Sequence, residues 1–101
     1  MGLPLVRGVT AAGADSDSVV APASTAIGDL VIVFHIEQKS TDPGHSIASG
    51  YTSIGTRAIS AGPAGWIRVS AGAKIATVAG AQTYQAFTGM VANRAAGCVV
   101  F

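Results

Sequence analysis

The sequence predicts an all-β fold, a small antiparallel β-sandwich or jelly roll of about seven or eight short strands. Three observations predict it. Val and Ile together occur 19 times while Leu occurs three times, and eight Thr bring the β-branched total to 27 of 101 residues. Such side chains are stiff at χ1 and fit the pleated strand better than the helix. The 13 Gly and four Pro are spread along the whole chain, so no stretch of helical length escapes interruption. The helix formers Leu, Glu, Lys, Gln and Arg are scarce. A chain of 101 residues makes one domain, residues 1–101, with no room for a second.

The strands follow in order. A first one is expected near Leu5 to Thr10, and Asp15-Ser16-Asp17-Ser18 reads as the turn after it. Val19 and Val20 form a short strand ending at Pro22. The turn Ala26-Ile27-Gly28-Asp29 feeds Leu30 to Ile36, the strongest strand signal in the chain. Its apolar run is continuous, which predicts a central strand covered on both faces. Glu37 to Ser46 is polar and holds Asp42-Pro43-Gly44, a loop. Strand signals return at Tyr51 to Ile59 and break at residues 61–65. Trp66 to Val69 and Ala73 to Val78 read as one bent strand or two, with Gly72 as a candidate bulge. Gln82 to Thr88 alternates, and Arg94 to Phe101 closes the chain.

Composition excludes several functions. Charged residues make up 11%, where roughly 25% is usual for a soluble domain. Net charge is +1, without the basic face that nucleic-acid binding requires. The longest strong apolar block, Leu30 to Phe34, falls far short of the roughly 18 residues that cross a membrane as a helix. The N-terminal residues carry no secretory signal pattern. Cys98 is the single cysteine, so it forms no internal disulfide, and it reads as a small buried thiol. With 19 Ala and 13 Gly and so few charges, much of the surface is expected to be covered by partners, and the isolated chain to self-associate at low salt.

Candidate chemistry is thin. His35 and Glu37, two apart on a strand, share a face, and Asp42 and His45 follow in the loop. Two imidazoles and two carboxylates can hold a divalent metal. No ligand spacing is matched, and the favoured reading is that the strand leaves the core at His35 and these groups are solvated. No Ser sits in a Gly-x-Ser-x-Gly elbow, and the Gly-Pro segment lacks the Lys and helix of a phosphate loop. Sugar binding calls for exposed aromatics, for which Trp66, Tyr51 and Tyr84 are the candidates. The expectation is therefore a protein that is not an enzyme, with no catalytic residue, cofactor or metal.

The order of segments GDLVIVF (Gly28 to Phe34), SGYTSIG (Ser49 to Gly55), AKIAT (Ala73 to Thr77), TYQAFTG (Thr83 to Gly89) and AAGCVVF (Ala95 to Phe101) resembles a β-sandwich module of tailed-bacteriophage virion structural proteins. That module reads as a Gly-Asp-Leu-Leu strand, a Ser-Gly-Trp-Thr segment, a Tyr-Lys-Val-Ala strand, a Tyr-Thr-Phe strand and an Ala-Gly-rich closing strand. Tyr51 stands where the module usually has Trp. The resemblance covers roughly residues 5 to 101 and implies a virion structural protein. One role is a capsid decoration, or cement, protein on the assembled head, made in the host cytoplasm. It would bind the major capsid protein and copies of itself, trimers being typical. The alternative is a tail or tail-fibre module that contacts a host receptor or carbohydrate. The absence of heptads and of a long shaft favours the compact cement role.

Two contact segments are expected. Met1 to Arg7, with Leu3, Leu5 and Arg7, reads either as a contact arm or as the edge strand. The Glu37 to Ser49 loop, with Lys39, Asp42 and His45, reads as exposed and partner-binding.

Overall fold

A computed structural model describes residues 5–13, 15–60 and 62–101. The described residues are nearly all β and contain no α-helix. Among the described residues nine strands follow one another: β1 (Gly8–Ala12), β2 (Val19–Val20), β3 (Leu30–Lys39), β4 (Ser46–Ile47), β5 (Thr52–Ser60), β6 (Trp66–Ile75), β7 (Thr83–Tyr84), β8 (Phe87–Thr88) and β9 (Asn93–Val100). One 3-10 turn, Gly62–Ala64, joins β5 to β6. Five strands form an antiparallel sheet in the order β1-β9-β3-β6-β5. The other four make two short antiparallel ribbons, β2–β7 and β4–β8.

The turn before β3 is built by Asp29. Its carboxylate accepts the amide of Ala26 at 2.8 Å, and Gly28 supplies the left-handed φ of 92° that the reversal needs. Leu30 and Phe101 then exchange backbone hydrogen bonds at 2.9 and 3.1 Å, which sets β3 beside the end of β9.

Inner and outer faces of the sheet alternate along β3. Val31, Val33, His35 and Glu37 point inward and are buried. The ribbons and their flanking loops lie over this inner face, and the core between them contains Val19, Val31, Val33, Tyr84, Ala86, Phe87, Cys98 and Val100. Gly72 lies opposite Val33 in β6, and a Cβ there would stand 2.8 Å from the Ala86 Cβ. Glycine at this position lets the Ala86-Phe87 segment seat on the sheet.

Several sequence expectations are corrected. β3 is central but covered on one face only: outward-pointing Phe34 and Ile36 are 42% and 45% exposed. A continuous apolar run reports two apolar faces, not what covers them. The polar start of the expected loop, Glu37 to Lys39, belongs to β3, because Arg68 and Arg94 stand beside Glu37 in register and continue the ladder. Trp66 to Ile75 is one unbroken strand, and the bulge lies across from it on β5, between Ser53 and Gly55. Gln82 to Thr88 splits into β7 and β8, one for each ribbon.

Candidate functional site

Two features stand out. The first is a polar cluster sealed under the 41–46 loop. Glu37, on the inner face of β3, accepts the amides of Val91 and Ala92 on Oε2, both at 2.7 Å, and the His45 Nε2–H on Oε1 at 2.9 Å. Burial pushes this carboxyl up, but the two amides and His45 outweigh it and hold it below the usual carboxylate range. With Nε2–H given to Glu37, His45 turns Nδ1 to Ser70 Oγ at 2.8 Å, where it accepts the hydroxyl proton. Ser70 accepts in turn from Thr56 (2.8 Å), and Thr56 from Arg68 Nη1 (2.8 Å). Arg68 also donates to the Pro43 carbonyl and to Asp42 Oδ1 at 3.0 Å. One hydrogen-bond chain thus runs from the exposed Asp42 to the buried Glu37, with every donor matched to an acceptor.

Ser70, His45 and Glu37 stand in the atomic order of a nucleophile, base and carboxylate. The side chains of His45 and Glu37 are 0% and 1% exposed, and Ser70 is 1% exposed. A substrate carbonyl has no approach to Ser70 Oγ, which already bonds Thr56 and His45. The arrangement fastens the loop to the sheet, and the chemistry it supports is structural. His35 adds a second anchor. Its Nε2 accepts the amides of Ala86 (3.1 Å) and Phe87 (3.3 Å), and burial, with His45 nearby, pushes it down to about 4. The neutral ring carries its proton on Nδ1, which has no partner among the described residues. No group of three or more His, Cys, Asp or Glu among the described residues is placed to hold a metal ion.

The second feature is the outer face of the sheet. Register places Leu30, Ile32, Phe34 and Ile36 of β3 along its middle. On one side stand Ile75, Ala73, Ala71, Val69 and Ile67 of β6, and on the other Val99, Gly97 and Ala95 of β9. Val9 and Ala11 of β1 and Gly55, Arg57 and Ile59 of β5 complete the rows. Phe34 rises from a row otherwise made of Gly55, Ala71, Gly97 and Ala11. A shallow depression of about 510 Å³ at one end of this face is lined by Asp15, Ile36, Gln38, Ile67, Asn93, Arg94 and Ala95.

The expected contact residues are placed unequally. Leu3 lies outside the described residues. Leu5 is 84% exposed. Arg7 pairs with Asp29, Nη2 to Oδ1 at 3.1 Å, and its amide bonds the Val100 carbonyl at 2.6 Å, so among the described residues the edge pairing begins at Arg7, and Leu5 and Val6 before it are exposed. Asp42 is exposed but tied to Arg68. Lys39 is half-buried at the end of β3, opposite Trp66. The His45 side chain is sealed, which corrects its reading as an exposed contact, and His35 and Glu37 are likewise buried rather than solvated. Trp66 and Tyr51 are half-buried, with Lys74 Nζ 5.3 Å from the Tyr51 ring centre, and Tyr84 is buried. Sequence reasoning missed Ser70 and Arg68. Arg68 carries a signal: it is a charge between Ile67 and Val69 in an apolar strand, and such a charge needs a partner.

No protein-family model, curated protein or solved structure matches the chain.

Proposed function

We propose that this chain is a structural protein of the tailed-bacteriophage virion, a decoration protein that binds the assembled head and stabilises it by protein–protein contact. One observation carries the reading: one face of the sheet is apolar and open, with Val9, Phe34, Ile36, Ile59, Val69 and Ile75 of β1, β3, β5 and β6 all exposed on it. Contiguous apolar patches beyond a few hundred Å² on a small domain mark interaction surfaces. The buried polar cluster supports the same reading, since its Ser70 hydroxyl is closed to substrate and its hydrogen bonds hold a loop. In this reading the long sheet and the two ribbons form the small antiparallel sandwich of the phage module, and the chain is non-catalytic and lies on the capsid surface. The exposed segment at Leu5 and Val6, which leaves the sheet at Arg7, reaches the major capsid protein.

Co-sedimentation of the purified chain with tail-free, DNA-filled heads tests this. Stoichiometric binding to heads is expected, and deletion of residues 1–6 is expected to abolish it with the circular-dichroism spectrum unchanged. Absence from heads with presence in tails would overturn the decoration role and move the protein to the adhesion apparatus.

A further inference from the structure

We infer that the outer face of the sheet is a self-complementary interface, on which a second copy of this chain stacks its own sheet about a two-fold axis running along the strands. The inference rests on the assembly reading only in taking this face as covered by protein. It names the protein that covers it.

Area is the first argument. Val9, Leu30, Phe34, Ile36, Ile59, Val69 and Ile75 are each at least 36% exposed. Weighted by side-chain size they present on the order of 700 Å² of apolar surface, so two stacked copies would bury about 1,400 Å², within the range of a stable interface. Relief is the second. Phe34 stands on the central strand in a row of Gly and Ala, so an axis along the strands brings the two copies' Phe34 side chains together, and Ala71 and Gly97 on either side leave room for them to lie past one another. A two-fold contact requires this reciprocity, and stacked sheets interdigitate in this way.

Charge decides between a second copy and any other apolar partner. Among the described residues, Asp15 is the one carboxylate and Arg57 the one arginine without a side-chain partner; the others are paired as Arg7–Asp29, Arg68–Asp42, Arg94–Asp17 and His45–Glu37. Both border the outer face, at opposite sides of the sheet. Arg57 lies on β5 in the row of Val69, Ile36 and Ala95. Asp15 lies beyond β1, its amide bonded to the Arg94 carbonyl at 2.7 Å, one residue from the same row. A two-fold axis along the strands keeps each row level and exchanges the two sides. It therefore lays Arg57 of each copy over Asp15 of the other, twice. Arg94, beside Asp15, is already neutralised by Asp17.

The test is sedimentation velocity on the full chain without heads, over a concentration series. A monomer–dimer equilibrium is expected. Arg57→Glu sets two acids against each other at both contacts, and Asp15→Arg sets two arginines, so each variant alone is expected to dissociate at least tenfold more readily. An equimolar mixture restores both opposite-charge pairs and is expected to form a heterodimer of wild-type strength. Asp15→Asn, which tolerates the positive φ of 60° at this position, checks the charge effect without backbone strain. A chain that is monomeric throughout the series overturns the inference, and so does a dimer whose stability none of these variants changes. Head binding plays no part in the readout, so either failure leaves the decoration reading standing or falling by its own experiment.

Discussion

His45 Nε2 and Glu37 Oε1 meet at 2.9 Å with both side chains sealed from solvent, although the two residues enter the fold from different elements. Glu37 lies in β3 and His45 in the loop before β4, and the contact fixes that loop over the sheet. Replacing Glu37 by Leu removes the acceptor for the amides of Val91 and Ala92 and for His45. Breaking a buried network from one side costs about 3–5 kcal/mol, so Glu37→Leu is expected to unfold the chain or shift its urea midpoint far down.

Acid is expected to destabilise the fold in two stages. The folded His35 titrates at about 4, while the unfolded residue titrates near its ordinary 6.5. Between these values the unfolded chain binds a proton that the native one refuses, so stability falls as pH falls through that window, by about 3 kcal/mol at most. Glu37, held below its ordinary range, acts lower down: its contribution is present above the ordinary carboxylate value and is lost as pH drops through the folded one. Urea midpoints at pH 7.5, 5.5 and 4.5 check this, and His35→Gln is expected to flatten the upper stage.

Gly72→Val tests the close seat of the ribbons. The added side chain meets Ala86, Ile47 and Phe87, the nearest atom 2.8 Å from the Cβ position. Overpacking of this kind costs about 1–3 kcal/mol, and the thermal midpoint should fall accordingly.

Ser70 gives a chemical check. Its neighbours resemble a hydrolytic triad, yet it is closed off, so the chain is expected to show no burst with an activated aryl ester, and Ser70→Ala no change in background hydrolysis. The same variant leaves His45 Nδ1 without a donor, which costs about 1–3 kcal/mol in urea unfolding.

Much of the fold was legible. Val19-Val20, the β3 run and the closing strand fall close to where β-branched residues and turn residues put them. The Gly28–Asp29 turn was readable because its chemistry is local: an Asp side chain caps a nearby amide, and a Gly takes positive φ. The candidate site was not legible. Glu37 and His45 read as solvated because a lone polar residue in sequence does not show its partners: those of Glu37 include the amides of Val91 and Ala92, 54 and 55 positions away, and that of His45 on Nδ1 is Ser70, 25 positions away. The open outer face was hidden for a related reason, since an apolar residue looks the same whether it awaits a partner or already has one.

The sealed polar cluster bears on alignment as well as on stability. β3 is apolar on both sides, so sliding it by one residue would exchange one greasy surface for another at little loss. Alternation, the usual guard against such a slip, is missing over Leu30 to Phe34. His35 and Glu37 replace it. Shifted by one position, both would face outward, and four backbone amides would be stranded in the interior. The two polar groups thus act as the strand's address, and a His35→Val, Glu37→Val double variant should give multiple sets of amide resonances where the parent gives one.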